Sequence, residues 1–298
     1  MAGVAWVAVD WGTSHLRAWL MDARGAIVDA RASGHGMGVL EPAGFEPALV
    51  DLCGDVLPVP VLACGMVGSR QGWAEAPYTA VPCAPPGADA ASFAPVKMPG
   101  LSVRILPGVK QVRPADVMRG EETQIAGYLA MNPGFDGVIC LPGTHTKWAH
   151  ISAGEIVSFR TAMTGEMFAL LSKQSVLRHS VGGGWHEASF DAGVDQAISR
   201  PEALAASLFS LRAEGLLDGL DPDAARARLS GLLIGAELAS MRPYWLGQQV
   251  AIIGADALSA AYAKALKTQG VPVAEARAEE MTLAGLTAAY TELYGEAA

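Results

Sequence analysis

The stretch VAVDWGTSHLRAWLMD, Val7 to Asp22, decides the fold. An apolar Val/Ala run closes on Asp10, and Gly12, Thr13 and Ser14 follow almost at once. Such a run predicts a buried strand, and a charge at its end is either solvated at a loop mouth or holding a ligand. Reading outward, Val4 to Val9 predicts one strand, His15 to Met21 a second and Ala26 to Ala32 a third, with Gly25 at the second turn. That pattern is a three-stranded meander.

The same phrase returns in VICLPGTHTKWAHISAGEIVSFR, Val138 to Arg160: an apolar strand, a Gly-Thr turn, a strand, a Gly turn and another strand. Gly12-Thr13 corresponds to Gly143-Thr144 at an offset of 131, and Gly25 to Gly154 if the second hairpin is two residues shorter. A repeated supersecondary unit predicts two equivalent domains, residues 1–132 and 133–298. The first carries irregular insertions over Gly34 to Pro114 and ends on a crossing helix over Asp116 to Met131. In the second, Asp195 to Met241 is helix-rich, with Asp221-Pro222 a good N-cap and first-turn pair. Val250 to Leu266 reads as strand, Gly turn and helix. Residues 281–295 form a last helix expected to pack back on the first domain.

Composition limits the partners. A chain of 298 residues, 51% hydrophobic and 17% charged, can bury a large core. A net charge of -9 argues against a nucleic-acid or anionic-membrane surface, so any anionic ligand must be held by local groups. No apolar run approaches the roughly 18 residues of a membrane span, and the N-terminus lacks a charged leader pattern, so the cytoplasm is the expected location. Cys53, Cys64, Cys83 and Cys140 form no C-x-x-C pair and are expected to be free thiols. There is no Walker loop, no H-E-x-x-H and no G-x-S-x-G turn.

Two Gly-Thr turns, one in each half, can direct backbone N–H groups and hydroxyls toward a shared cleft and grip an oligophosphate. Only the first carries an acid; Leu141 stands at the matching place in the second. A carboxylate beside phosphates repels them unless a cation lies between, so Asp10 suits Mg²⁺ held through water. The plain alternative is that both glycines merely make hairpin turns and Asp10 is a solvated strand end.

The D-x-G-T-S phrase, its second Gly-Thr copy and the late strand-Gly-helix resemble the two phosphate segments and the adenosine segment of the actin, hexokinase and sugar-kinase ATPase superfamily. The resemblance implies an α/β chain of two ribonuclease-H-like domains, the actin-like ATPase fold, with an interdomain cleft. More narrowly, VDWGTSHLRAWLMD, ACGMVGSRQGWAEAPY, RGEETQIAG, LPGTHTKWAHI and TAMTGEMFALLS are together similar to the 2-dehydro-3-deoxygalactonokinase family. That similarity implies an ATP-dependent, Mg²⁺-assisted kinase acting on the 6-hydroxyl of a 2-keto-3-deoxy sugar acid in galactonate breakdown. ATP and a small sugar acid are then the expected ligands.

Phosphoryl transfer asks for charge neutralisation, in-line positioning and a group to take the hydroxyl proton. Asp10 would orient Mg²⁺. Gly12, Thr13, Ser14 and Arg17 would serve the first phosphate turn, although Arg17 can equally make a structural salt bridge. Gly143, Thr144 and His145 would serve the second, with Lys147 offering positive charge. Gly254 would lie at the adenosine, where Gly254-Ala255 replaces the Gly pair of many relatives. Glu121 is the favoured base with Glu122 as runner-up; the alternative is a solvated helix face or a salt bridge to Arg119. For the sugar acid, Gly65 permits close backbone approach, while Ser69, Arg70, Trp73 and Tyr78 offer a hydroxyl, a carboxylate fork, a stacking surface and a second hydroxyl. The plain alternative is an insertion with an exposed arginine and core aromatics. Thr164 and Gly165 open a helix, Thr164 as its cap. A phosphohydrolase of the exopolyphosphatase type, a kinase for a related keto-deoxy sugar acid and a noncatalytic nucleotide- or sugar-binding module are the competing functions.

Overall fold

The computed structural model describes residues 3–254 and 256–295, apart from the side chain of Asp256. Ala255, half of the Gly254-Ala255 pair singled out above, lies outside the described residues. The first elements in the chain are β1 (Trp6–Trp11), β2 (Leu16–Met21), β3 (Ile27–Ser33), α1 (Phe45–Cys53), β4 (Val61–Cys64), β5 (Tyr78–Ala80), β6 (Ser92–Phe93), β7 (Val103–Ile105), β8 (Gly108–Gln111), β9 (Asp116–Met118) and α2 (Glu121–Met131). There follow β10 (Gly137–Leu141), β11 (Thr146–Ser152), β12 (Glu155–Ala162), α3 (Thr164–Lys173), α4 (Glu187–Ser199), α5 (Leu204–Leu217), α6 (Pro222–Ser240), α7 (Arg242–Trp245), β13 (Val250–Gly254), α8 (Asp256–Thr268), β14 (Val273–Arg277) and α9 (Ala278–Tyr294).

One sheet runs β3-β2-β1-β4-β7-β6 and a second runs β12-β11-β10-β13-β14. In the first, β1, β2 and β3 form an antiparallel meander, and β4 and β7 continue parallel to β1. In the second, the β10–β12 meander is continued by β13 and β14, parallel to β10. The repeated phrase in the sequence is therefore a repeated sheet: a meander extended from its first strand by parallel strands. This doubled ribonuclease-H-like arrangement is the actin-like ATPase fold.

The central strands of the first sheet, β1 and β4, are apolar on both faces because helices cover both. Val7, Val9 and Trp11 of β1 pack with Phe45 and Leu49 of α1, whereas Trp6 and Ala8 pack with Leu286 and Ala289 of α9. The Trp6 ring stacks on Tyr290 with centroids 4.1 Å apart. In the second sheet, Val138, Trp148 and Ile252 share a core with Phe190 of α4, Ile234 of α6 and Leu266 of α8.

By contacts the chain divides into Met1–Asp136 with Ile151–Ser158 and Ala278–Ala298, and Gly137–His150 with Phe159–Arg277. The sequence places one boundary after residue 132 and has the last helix pack back on the first domain; by contacts α9 groups with the first unit, and so does the far end of the β11–β12 hairpin. The reason for α9 is its crossing with α2: a Cβ on Gly127 would stand 2.0 Å from the Met281 carbonyl oxygen, and one on Gly285 2.0 Å from that of Thr123. The hairpin end is held by an antiparallel bridge between Ile156 and Cys83.

Several boundaries differ from the sequence reading. β1 starts at Trp6 and runs through Asp10, which is thus inside the strand. Asp116 to Met131 is not one helix: Asp116–Met118 pairs antiparallel with β8, and Gly120 at φ +104° breaks the chain before α2. The two glutamates therefore begin the helix instead of lying within it. Helical structure in the second unit already resumes at Glu187, and the final helix begins at Ala278. Asp221 does cap α6, accepting from the N–H groups of Asp223 and Ala224, with Pro222 in the first turn. The four cysteines are free.

Candidate active site

In the first unit, strand register puts Asp10 between Arg17 on β2 and Cys64 on β4. The Arg17 guanidinium donates to the Asp10 carboxylate across the hairpin, so in this state Arg17 takes the salt-bridge role. The Asp10 side chain is only 14% exposed. Burial raises its carboxyl above the usual range, with Glu279 adding to the effect, and Arg17 offsets this in part. Thr13 and Ser14 are exposed, and Gly12 is half-buried. The turn is braced from behind by the next segment: Met37 N–H donates to the Gly12 carbonyl and Gly38 N–H to that of Thr13, at 2.9 and 2.8 Å.

Gly65 follows β4 at φ +92°, and a Cβ there would stand 2.8 Å from the Trp11 carbonyl oxygen and 3.4 Å from Asp10 Oδ1. Gly120 lies against the same spot; its own Cβ would meet the Gly65 Cα at 3.4 Å. Two glycines thus bring the start of α2, with Glu121 and Glu122, up to the Asp10 strand end. The two acids differ sharply. Glu122 is 1% exposed and takes the Gly120 N–H at 2.8 Å on its carboxylate. Glu121 is half-buried and accepts the Arg119 N–H at 3.0 Å. Burial, with the neighbouring Glu121 charge, raises the Glu122 carboxyl from 4.5 to about 7. The Cys64 thiol, pushed well up by burial, also feels both Asp10 and Glu122.

Glu122 makes a stability prediction. In an unfolded chain its carboxyl ionises near pH 4.5, so between there and about 7 the folded state keeps a proton that the unfolded state has lost. Its stabilising contribution is full below pH 4.5 and is lost as pH rises through about 7. The difference in unfolding free energy between the parent protein and Glu122→Gln should therefore fall by about 3 kcal/mol across that window. Denaturant titrations of both proteins at pH 4.5 and 8 measure it; a constant difference would contradict the assignment.

The sugar-acid candidates scatter. Ser69 is buried, and its hydroxyl is without a hydrogen-bond partner among the described residues. Arg70 is 81% exposed and lies 3.6 Å from Glu75. Trp73 is a correction: its ring packs on Phe45 and Trp11 in the core, and its N–H is taken by the Pro95 carbonyl at 3.1 Å, so it offers no open stacking face. Tyr78 lies under Arg119, whose guanidinium is 4.2 Å from the ring centroid and donates to the Ala76 carbonyl at 2.8 Å. Arg119 is thus a buried structural cation beside the glutamates. Its contacts to the tyrosine ring and the Ala76 carbonyl are tertiary, and nothing in RGEETQ announces them.

In the second unit, Gly143 and Thr144 form the turn between β10 and β11, and α3 begins directly against it. A Cβ on Gly165 would stand 2.3 Å from the Gly143 carbonyl oxygen, and Glu166 N–H donates to the Thr144 carbonyl at 2.9 Å. Glu166 also meets His145 Nε2 at 2.6 Å. Thr164 is not a cap: Met163 holds the cap position without a side-chain bond, and the buried Thr164 hydroxyl is turned to the Glu237 carboxylate, helping to hold down its pKa. Lys147 is buried and donates to Thr161 Oγ1 at 3.0 Å, so its ammonium is turned to the neighbouring strand. Gly254 closes β13 beside the turn, where a Cβ would meet Ser259 Oγ at 2.4 Å and Pro142 at 3.5 Å.

Behind Gly143, Thr144, Thr164 and Gly165 opens a cavity of about 740 Å³. The Gly183-Gly184-Trp185 loop, Arg226 and α8 complete its lining. Under it, Glu237 of α6 accepts from Trp148 Nε1 and Tyr262 Oη, each at 2.7 Å, and burial raises its carboxyl. Asp223 fixes the glycine loop by accepting the Gly184 N–H at 2.8 Å. In the sequence the glycine run 182–184 reads as an ordinary loop, and Trp185 immediately after it is the local signal of this wall.

A sequence model described as 2-keto-3-deoxy-galactonokinase matches residues 10–289 of the chain. The chain is 39% identical over 296 residues, 95% of its length and 96% of the relative's, to a Rhizobium meliloti (strain 1021) protein named "Probable 2-dehydro-3-deoxygalactonokinase DgoK1". It is 34% identical over 291 residues, 94% of the chain and 96% of the relative, to the 2-dehydro-3-deoxygalactonokinase of Escherichia coli (strain K12). A crystal structure of a Sinorhizobium meliloti protein, provisionally named for the same kinase, superposes with a TM-score of 0.92 at 37% identity, covering 97% of this chain and 99% of that one.

Proposed function

Because the chain belongs to the 2-keto-3-deoxy-galactonokinase family, we propose that it transfers the γ-phosphoryl group of ATP to the 6-hydroxyl of 2-dehydro-3-deoxy-D-galactonate, a step of galactonate catabolism. The products are ADP and 2-dehydro-3-deoxy-6-phosphogalactonate. The observation that carries this reading is the family match over nearly the whole chain, including both Gly-Thr turns and the α2 glutamates. Relatives named as kinases do not favour the phosphohydrolase alternative.

Glu121 is the proposed base: of the adjacent pair it is the one not sealed off. It takes the proton of the 6-hydroxyl as that oxygen bonds to the γ-phosphorus; the bond from phosphorus to the bridging oxygen breaks, and its electrons leave with ADP. Glu122, fixed on the Gly120 amide, holds the start of α2 in place. The amides of Gly12–Ser14 and of Gly143-Thr144 are the proposed phosphate donors.

Asp10 fits Mg²⁺ by donor chemistry. It is a hard oxygen donor, and among the described residues no group of three or more His, Cys, Asp or Glu could hold a metal by protein ligands alone. One carboxylate acting with water and phosphate oxygens is the usual protein share for this ion. When bound, Mg²⁺ would neutralise charge on the phosphates. No helix among the described residues is long and apolar enough to cross a membrane.

Gly165→Ala should raise the KM for ATP about tenfold or more, because the added methyl displaces the Gly143-Thr144 turn. Initial-rate kinetics measure it, with a melting curve as a fold control; an unaltered KM would remove that turn from phosphate binding. The reaction itself is tested by the position of the new phosphate. Phosphorus–proton coupling to the C6 methylene is expected, and phosphate on another carbon, or only free phosphate, would contradict the reading.

A further inference from the structure

We propose that the second-unit cavity holds the nucleotide through two side chains outside every motif above: the Trp185 indole stacks on the purine base, and the Arg226 guanidinium attracts the phosphates. The inference rests on the kinase reading and deepens it.

Trp185 differs from every other tryptophan in the chain. Six of the seven are at most 6% exposed, whereas Trp185 is 47% exposed and lines the cavity. Its position is fixed from behind. The ring leans on Phe190 at 5.2 Å between centroids, and its Nε1–H donates to Glu187 Oε2 at 2.8 Å. Glu187 is in turn held by Lys264, which also pairs with Asp191 at 2.8 Å. An aromatic face open on one side and locked on the other is a platform whose ordering cost is already met in the free protein. At about 740 Å³ the cavity has the size of a small-ligand site.

Arg226 stands on another wall. It is half-buried, and its guanidinium lies 5.0 Å from the centroid of the Phe168 ring. Among the described residues no carboxylate lies at ion-pair distance from it, in a chain that carries 30 acids against 21 bases. Phe168 sits one helical turn beyond Thr164, on the part of α3 that abuts Gly143 and Thr144. The free cation is therefore near the proposed phosphate turn, while the open indole is carried by the α4–α8 side. A nucleotide has the matching polarity: a π-face at one end and anionic oxygens at the other.

The test is calorimetric titration of the full chain with ADP and with adenosine. Trp185→Leu should weaken both ligands by the same factor, about tenfold, whereas Trp185→Phe should retain most of the affinity. Arg226→Gln should weaken ADP about tenfold and leave adenosine unaltered. Parent-like binding by Trp185→Leu, or equal losses for both ligands in Arg226→Gln, would overturn the inference while leaving the kinase reading intact. A parent protein that binds no ADP would instead sink the kinase reading beneath it.

Discussion

Asp10→Asn should lower kcat by about a hundred- to a thousandfold with both substrates saturating. Asparagine keeps the shape of the side chain and removes its charge. What is lost is the acid at the first turn, the group placed between Arg17 and Cys64 by strand register and sealed in by Gly65. The fold should survive: the partner left behind, Arg17, is 44% exposed, so its guanidinium remains solvated without the carboxylate. A rate within threefold of the parent, measured on protein with an unchanged melting curve, would remove Asp10 from the chemistry. The residual rate should also need more Mg²⁺ to saturate.

Glu121→Gln should lower kcat by about a hundredfold or more, with little change in the KM for ATP, because a general base acts on the transferring proton and not on the nucleotide. Glu122→Gln should cost less: its carboxylate is turned onto the Gly120 amide and away from solvent. The two variants together separate the roles. A large loss confined to Glu122→Gln would exchange the assignments, and parent-like turnover in both would remove the pair from catalysis.

Much of the fold was legible because its signals are local. Gly12, Gly25, Gly143 and Gly154 punctuate apolar runs at short range, and a hairpin needs no information from elsewhere in the chain. Repeating that phrase was enough to predict two related sheets. The α2 entry was misread because Asp116 to Met131 has helical composition, yet Asp116–Met118 finds a partner in β8 and Gly120 adopts a positive φ. Tertiary pairing overrode propensity there.

The site was legible in the same uneven way. Asp10 and the two Gly-Thr turns stand at strand ends, where a sequence marks position well. Trp73 and Trp185 are both aromatic residues beside glycine, and nothing local says that the first is core and the second open. Arg70 and Arg119 pose the same problem in reverse: Arg70, the expected carboxylate fork, is exposed, while Arg119 is buried on Tyr78. Arg226 was silent because its place in the cavity depends on how α6 packs on α3, a contact made by residues far apart in the chain.

The most direct test of the central claim is the rate of ADP formation from Mg-ATP with 2-dehydro-3-deoxy-D-galactonate and without an acceptor. ADP formation that depends on the sugar acid is the predicted result. An equal rate in its absence would contradict the account and make the chain a hydrolase.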